Sequence, residues 1–271
     1  MITTARVQQL ESAHWYTTDG EPMHEVPAKK GGMKKTTLRE AREFGLLPSV
    51  TSIQKIIAKP HLQTWIAEQQ CLAVLTSPRQ ADEGLDDFVK RVLHDEAEHR
   101  EEAEAAAAFG SHVHWAIAQS LVNVQFDPVP ETVWPIVNAA LTWFRPLHPT
   151  IIAVEKVVVG DGYAGTCDLV ACHDGVNRVI DWKTAKNIPD KHGWPEHHEQ
   201  LAAYAFALVR MGLIPAGTPL QLTNVYLSTT EQGKMFVCDW PTGENQAAWE
   251  TFRATQTIWE HRNRYYPRAK E

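Results

Sequence analysis

Three acids, Glu155, Asp168 and Asp181, and one base, Lys183, stand at spacings that can do chemistry. They fall in short β-branched runs, IIAVEKVVV, GTCDLVAC and VNRVIDW, separated by GDGYA and HDG. Asp-Gly pairs between such runs punctuate hairpins. An even-length turn centred on Asp174-Gly175 puts Asp168 opposite Asp181, and one centred on Asp161-Gly162 puts Glu155 opposite Asp168. The carboxylates then form one row across three strands, with Lys183 on the same face because it lies two residues past Asp181. Directly paired Cβ atoms sit about 4.5–5.5 Å apart, where like charges repel. A cation among them removes that penalty, and hard oxygen ligands suit Mg²⁺ or Mn²⁺ rather than a thiolate-loving metal. The same spacing also fits solvent-facing acids on a sheet edge, and an odd-length turn would scatter the row.

The elements that must position this row read coarsely from the chain. Residues 1–45 read as an amino-terminal basic arm or loop, with AKKGGMKKTTLREAR over 28–42 as its mobile part. Residues 46–271 read as a single domain: a helical part over 46–146, a catalytic core over 150–240 and a carboxy-terminal helix over 244–264. LPSVTSIQKIIAKP offers Ser49 or Thr51 as a helix cap, and Pro60 breaks it before a second helix to about Leu75. Residues 82–121 read as one or two Ala- and Glu-rich helices interrupted near Gly110. Another helix over about 131–145 ends at Pro146 and Pro149. After the three strands come a helix over 196–212 and strands over 220–229 and 234–239. The order gives an α/β fold with a helical amino-terminal part.

At 271 residues, 44% hydrophobic and 22% charged, the chain has an ordinary globular composition, which excludes collagen-like, disordered and disulfide-framework classes. No run of 18 apolar residues predicts a membrane span, and MITTARVQQLESAHW has no apolar signal region, so a cytoplasmic protein is expected. Cys71, Cys167, Cys172 and Cys238 make no C-x-x-C pair and read as buried free thiols, with no zinc or iron–sulfur site. No G-x-x-x-x-G-K-[ST] stretch occurs, so no ATP-driven motor is expected.

Four ordered motifs carry a family resemblance over roughly residues 46–240. G-T-C-D-L-V is followed, thirteen residues from its Asp, by D-W-K-T. FGSHVHWAI precedes them with His114 in a G-x-x-x-H pattern. EQLAAYAFAL follows with Gln200 and Tyr204 as Q-x-x-x-Y, and LPSVTSI opens the region. Together they resemble the PD-(D/E)XK nuclease superfamily, in the branch of the RecB nuclease domain and lambda-type phage exonucleases. The resemblance implies a restriction-endonuclease-like core, a central mixed β-sheet flanked by helices. It implies that Asp168 and Asp181 bind a catalytic Mg²⁺ or Mn²⁺, with the Trp182 backbone carbonyl and the His114 imidazole completing the shell. Glu155 would hold a second metal or the outer shell. Lys183 would orient or deprotonate the attacking water, and Gln200 and Tyr204 would face the active site or the DNA backbone. Ser49, Thr51, Lys34, Lys35 and Lys186 are the expected DNA contacts.

The implied activity is metal-dependent phosphodiester hydrolysis, most simply by an exonuclease of phage or bacterial recombination or repair. A structure-specific endonuclease and a non-cutting module on DNA ends are the alternatives. The implied partners are DNA ends, a phage recombinase or a single-strand-binding protein, and further copies of the chain, since lambda-type relatives form rings. CRISPR-adaptation nucleases of this branch add four cysteines for an iron–sulfur cluster. Here only Cys238 lies beyond Tyr204, which disfavours that subgroup.

Several look-alikes fall away. HDEAEH at 94–99 misses the H-x-x-E-H register by one residue, because position 95 is Asp. His112, two residues before His114, points elsewhere on a helix, and His197 and His198 read as a solvated helix start. Most of the ten tryptophans read as core, with Trp182 and Trp194 the candidates near the site to stack a base. The net charge of −7 comes from Asp82 to Glu104, where ten acids meet three bases; the remainder sums to zero. Basic clusters at Lys29, Lys30, Lys34, Lys35, Arg39 and Arg42, and at Arg262, Arg264, Arg268 and Lys270, fit either phosphate contacts or solvated tails.

Overall fold

The Asp174-Gly175 turn decides the register of the central sheet. Both residues have positive φ, 50° and 75°, as a two-residue type I′ hairpin demands. The computed structural model describes residues 14–29, 31–57, 68, 71–94, 97–122 and 129–268. The amino-terminal elements are β1 (Trp15–Tyr16), β2 (Glu25–Pro27), β3 (Met33–Lys35), α1 (Leu38–Phe44), β4 (Leu47–Pro48) and α2 (Val50–Gln54). Next come α3 (Leu85–His94), α4 (Ala97–Leu121) and α5 (Trp134–Phe144), then β5 (Thr150–Val159), β6 (Ala164–His173) and β7 (Val176–Ala185). Helix α6 (Pro195–Arg210), β8 (Leu220–Ser228), β9 (Met235–Asp239) and α7 (Asn245–Asn263) complete the order.

The chain divides into two compact units, one of residues 57–108 and one of the rest. Within the small unit, Arg91 pairs with Glu83 at 2.8 Å and lies over the Phe88 ring. The large unit holds a five-stranded sheet in the order β5-β6-β7-β8-β9. Its pairs are antiparallel except β7–β8, which is parallel and joined through α6, so the sheet is mixed. One face packs Val158, Val170, Val179 and Leu222 against Leu201, Leu208, Phe252 and Trp259 of α6 and α7. The other packs Leu169, Ile180, Trp182 and Val225 against Val113, Ile117, Val137 and Leu141 of α4 and α5. Helices thus cover both faces, the α/β arrangement the motifs imply.

Three expectations need correction. The stretch 28–42 contains β3 and the start of α1, where Thr37-x-x-Glu40 forms a capping box. Glu40 accepts the Thr37 backbone N–H at 3.0 Å. Helix α4 runs unbroken through Gly110, which serves close packing rather than termination. Among the cysteines only Cys167 is buried; Cys71 is exposed, and Cys172 and Cys238 are half-buried, all as free thiols. The expected break at Pro60 lies outside the described residues.

Candidate active site

The β6–β7 ladder runs back from His173↔Val176 to Leu169↔Ile180 and stops there. The next step would pair Asp168 with Asp181, the two residues the turn reading set opposite each other. Beyond it β6 stays with β5, while β7 continues with β8 as far as Ala185↔Ser228. The strands therefore part at the two aspartates. The Trp182 amide donates to Asp168 Oδ2 at 2.8 Å, in place of a ladder bond. On β5, Glu155 adopts φ 47° and drops out of the ladder, although Lys156↔Cys167 and Val154↔Leu169 keep the same register on either side.

His114 Nδ1 lies 3.3 Å from Asp168 Oδ2. His114, Glu155 and Asp168 each place one ligand atom within 4.8 Å of the others. Gly110 makes this approach possible: a Cβ there would stand 2.8 Å from Thr184 Oγ1 of β7. Asp181 is held from the other side. Lys183 Nζ donates to its two oxygens at 3.0 and 2.8 Å, and Gln200 Nε2 reaches Oδ1 at 3.3 Å. Gln200 Oε1 accepts from Lys183 at 2.9 Å, and its amide donates to Tyr204 Oη at 2.9 Å. Tyr204 is buried and supports Gln200 from behind. Gly165 gives it room, since a Cβ there would come within 2.6 Å of Tyr204 Cε1.

Burying three carboxylates together leaves its mark on their protonation. Burial, then the Asp168 charge, pushes Glu155 up to about 8. Burial also raises Asp181, against the pull of Lys183. Burial opposes the Asp168 anion as well, but His114 and Lys183 hold its carboxyl below the ordinary range. Burial disfavours a charged His114, yet Asp168 beside it raises the imidazole to about 9. Such a site is short of positive charge. One imidazole nitrogen and several hard oxygens in a half-buried, mutually repelling group fit a divalent cation.

Of the other expected residues, Ser49 is buried and its hydroxyl caps α2, accepting from Ser52 N at 3.0 Å. That is the helix cap the sequence offered at Ser49. Thr51 lies beside it at 3.1 Å. Ser49 bridges to Ala164, and Tyr16 Oη meets Thr166 Oγ1 at 3.2 Å, so the LPS segment lines the parted half of β6. Lys34 is engaged by Glu40 on the β2–β3 side, and Lys35 is exposed on β3. The Lys186 carbonyl accepts from Thr230 Oγ1 at 3.0 Å. His112 is exposed, as expected. His198 is not solvated: it is buried, stacked on Trp240 at 4.4 Å and bonded to Asn245 at 2.9 Å. The motifs overlooked Asn224, which donates to Asp181 Oδ2 at 2.9 Å. A polar residue inside the apolar run LQLTNVYLS was its signal.

No helix among the described residues is long and apolar enough to cross a membrane. No curated protein matches the chain. A solved structure described as "Crystal structure of SSO0001" aligns over 73% of this chain and 86% of that one at 13% identity, with a TM-score of 0.26, a distant likeness. The family profile of the PD-(D/E)XK nuclease superfamily matches residues 79–258. That span holds Asp168, Asp181, Lys183 and the helices that bring His114 and Gln200 to them, and the chain belongs to the PD-(D/E)XK nuclease superfamily.

Proposed function

We propose that the protein is a divalent-metal-dependent deoxyribonuclease that works from DNA ends, as an exonuclease of recombination or repair. The observation that carries this is the parting of β6 and β7 at Asp168 and Asp181, with His114 and Glu155 converging on one side and Lys183 on the other. In this reading His114, Asp168 and Asp181 hold Mg²⁺ or Mn²⁺, joined by the Trp182 carbonyl, which shares a strand edge with the amide bound to Asp168. Glu155 holds a second ion or the outer shell. The bound cation supplies Lewis-acid neutralisation of the scissile phosphate and lowers the pKa of water. Asp181 and Gln200 fix the Lys183 ammonium beside the carboxylates. There it orients the attacking water and stabilises charge on the phosphoryl oxygens. Tyr204 locks the Gln200 rotamer, so the ammonium stays aimed without paying entropy during the reaction.

End specificity rests on the resemblance to lambda-type exonucleases and is tested separately from cleavage. Linear and circular single-stranded DNA are incubated with Mg²⁺ or Mn²⁺. An exonuclease degrades the linear form and leaves the circle intact. Cleavage of the circle assigns the site to an endonuclease instead.

A further inference from the structure

Asp181 accepts a hydrogen bond from a residue that no motif contains, and that residue is itself aimed by another. Asn224 is fully buried on β8, level with Asp181 in the parallel register. Its Nδ2 donates to Asp181 Oδ2 at 2.9 Å, and its Oδ1 accepts from the Trp240 indole Nε1 at 2.7 Å. An indole N–H can only donate, so it forces the amide oxygen of Asn224 outward and the NH₂ group towards Asp181. Trp240 is fixed in turn. It stacks on the His198 ring with planes 6° apart, and His198 is bonded to Asn245. Its edge abuts Gly193, where a Cβ would fall 2.6 Å from Cζ2.

We infer that Trp240 and Asn224 are positioning residues of the metal site, acting through Asp181. The indole sets the Asn224 amide, and the amide sets the plane of the Asp181 carboxylate. This rests on the proposed role of Asp181 as a metal ligand. Outer partners of metal-bound groups typically carry about 10- to 100-fold in metal affinity.

Mn²⁺ binding by calorimetry, read beside kcat and KM on DNA, tests this with wild type, N224L, W240F and the double variant. W240F keeps the stack on His198 and removes only the donor. N224L is expected to raise the Mn²⁺ dissociation constant about 10- to 100-fold. W240F is expected to raise it roughly 3- to 10-fold, the range of one net hydrogen bond, and to lower kcat rather than raise KM. In the N224L background W240F should add less than about 2-fold, because its effect runs through Asn224. Equal effects of W240F with and without Asn224, or unchanged Mn²⁺ affinity in N224L, overturn the inference. If N224L does not fold, W240F alone decides: unchanged affinity and kcat overturn it. A wild type that neither binds Mn²⁺ nor cuts DNA overturns the nuclease reading itself, a result distinct from these.

Discussion

The two aspartates stand where β6 and β7 part, yet they answer to different neighbours. Asp168 is held by the Trp182 amide and His114, whereas Asp181 is held by Lys183, Gln200 and Asn224. The two ends of the site should therefore fail differently. Asp168→Asn removes the charge of a proposed ligand and is expected to weaken Mn²⁺ binding by at least about tenfold. Lys183→Ala should lower kcat about 10²- to 10³-fold at saturating metal, the scale of one electrostatic stabiliser, without weakening Mn²⁺ binding. Calorimetry and single-turnover cleavage on the same samples separate these outcomes. Loss of metal affinity in Lys183→Ala with normal turnover would place the lysine in a structural role. Asp168, Asp181 and Lys183 were legible in the sequence because hairpin turns encode register locally. Asn224 was not. Its neighbour across the ladder is set by a parallel crossover through α6, and nothing local fixes that register.

At the scale of elements, the site exists because strands separate and helices come unusually near. Gly110 lets α4 approach β7 close enough for His114 to meet Asp168. Gly110→Ala adds a methyl 2.8 Å from Thr184 Oγ1, so the helix or the Thr184 side chain must shift. Overpacking of this kind costs about 1–3 kcal/mol. The variant is expected to lose Mn²⁺ affinity, and Thr184→Ala should restore it by removing the clashing atom. Failure of that rescue, with Gly110→Ala folded, would mean that the contact does not position His114. The sequence showed Gly110 and misled, since an isolated glycine in a helix reads as an interruption when its packing partner is unseen. Asp174-Gly175 read correctly because only residues tolerant of positive φ suit that turn. The capping box at Thr37 and Glu40 was present in the letters too, but it sits inside a basic run whose charge argued for a loop.

At the scale of the molecule, the amino-terminal segment is a working part of the large unit. Strand β1 pairs with β4, and Trp15 packs among Trp259 and Tyr265 near the carboxy terminus. His24 tethers this segment by accepting the Trp15 N–H on Nδ1 at 3.1 Å. Burial, with His14 stacked against it, lowers His24 to about 4 from the ordinary 6.5. Between these values the unfolded chain binds a proton that the folded chain refuses. Stability should therefore fall as pH drops from 6.5 towards 4 and be unaffected by His24 above that window. Melting temperatures across pH 4–8 check this, and His24→Gln, which keeps an acceptor, should flatten the acid limb. An unchanged slope in His24→Gln would assign it to other groups. The most direct test of the proposed nuclease is release of nucleotides from end-labelled DNA with Mg²⁺, Mn²⁺ or chelator, using wild type and Asp181→Asn matched by melting temperature. Wild type is expected to hydrolyse DNA only with metal, and a folded Asp181→Asn not at all. Undiminished cleavage by that variant, or no cleavage by wild type with either metal, would contradict the proposal.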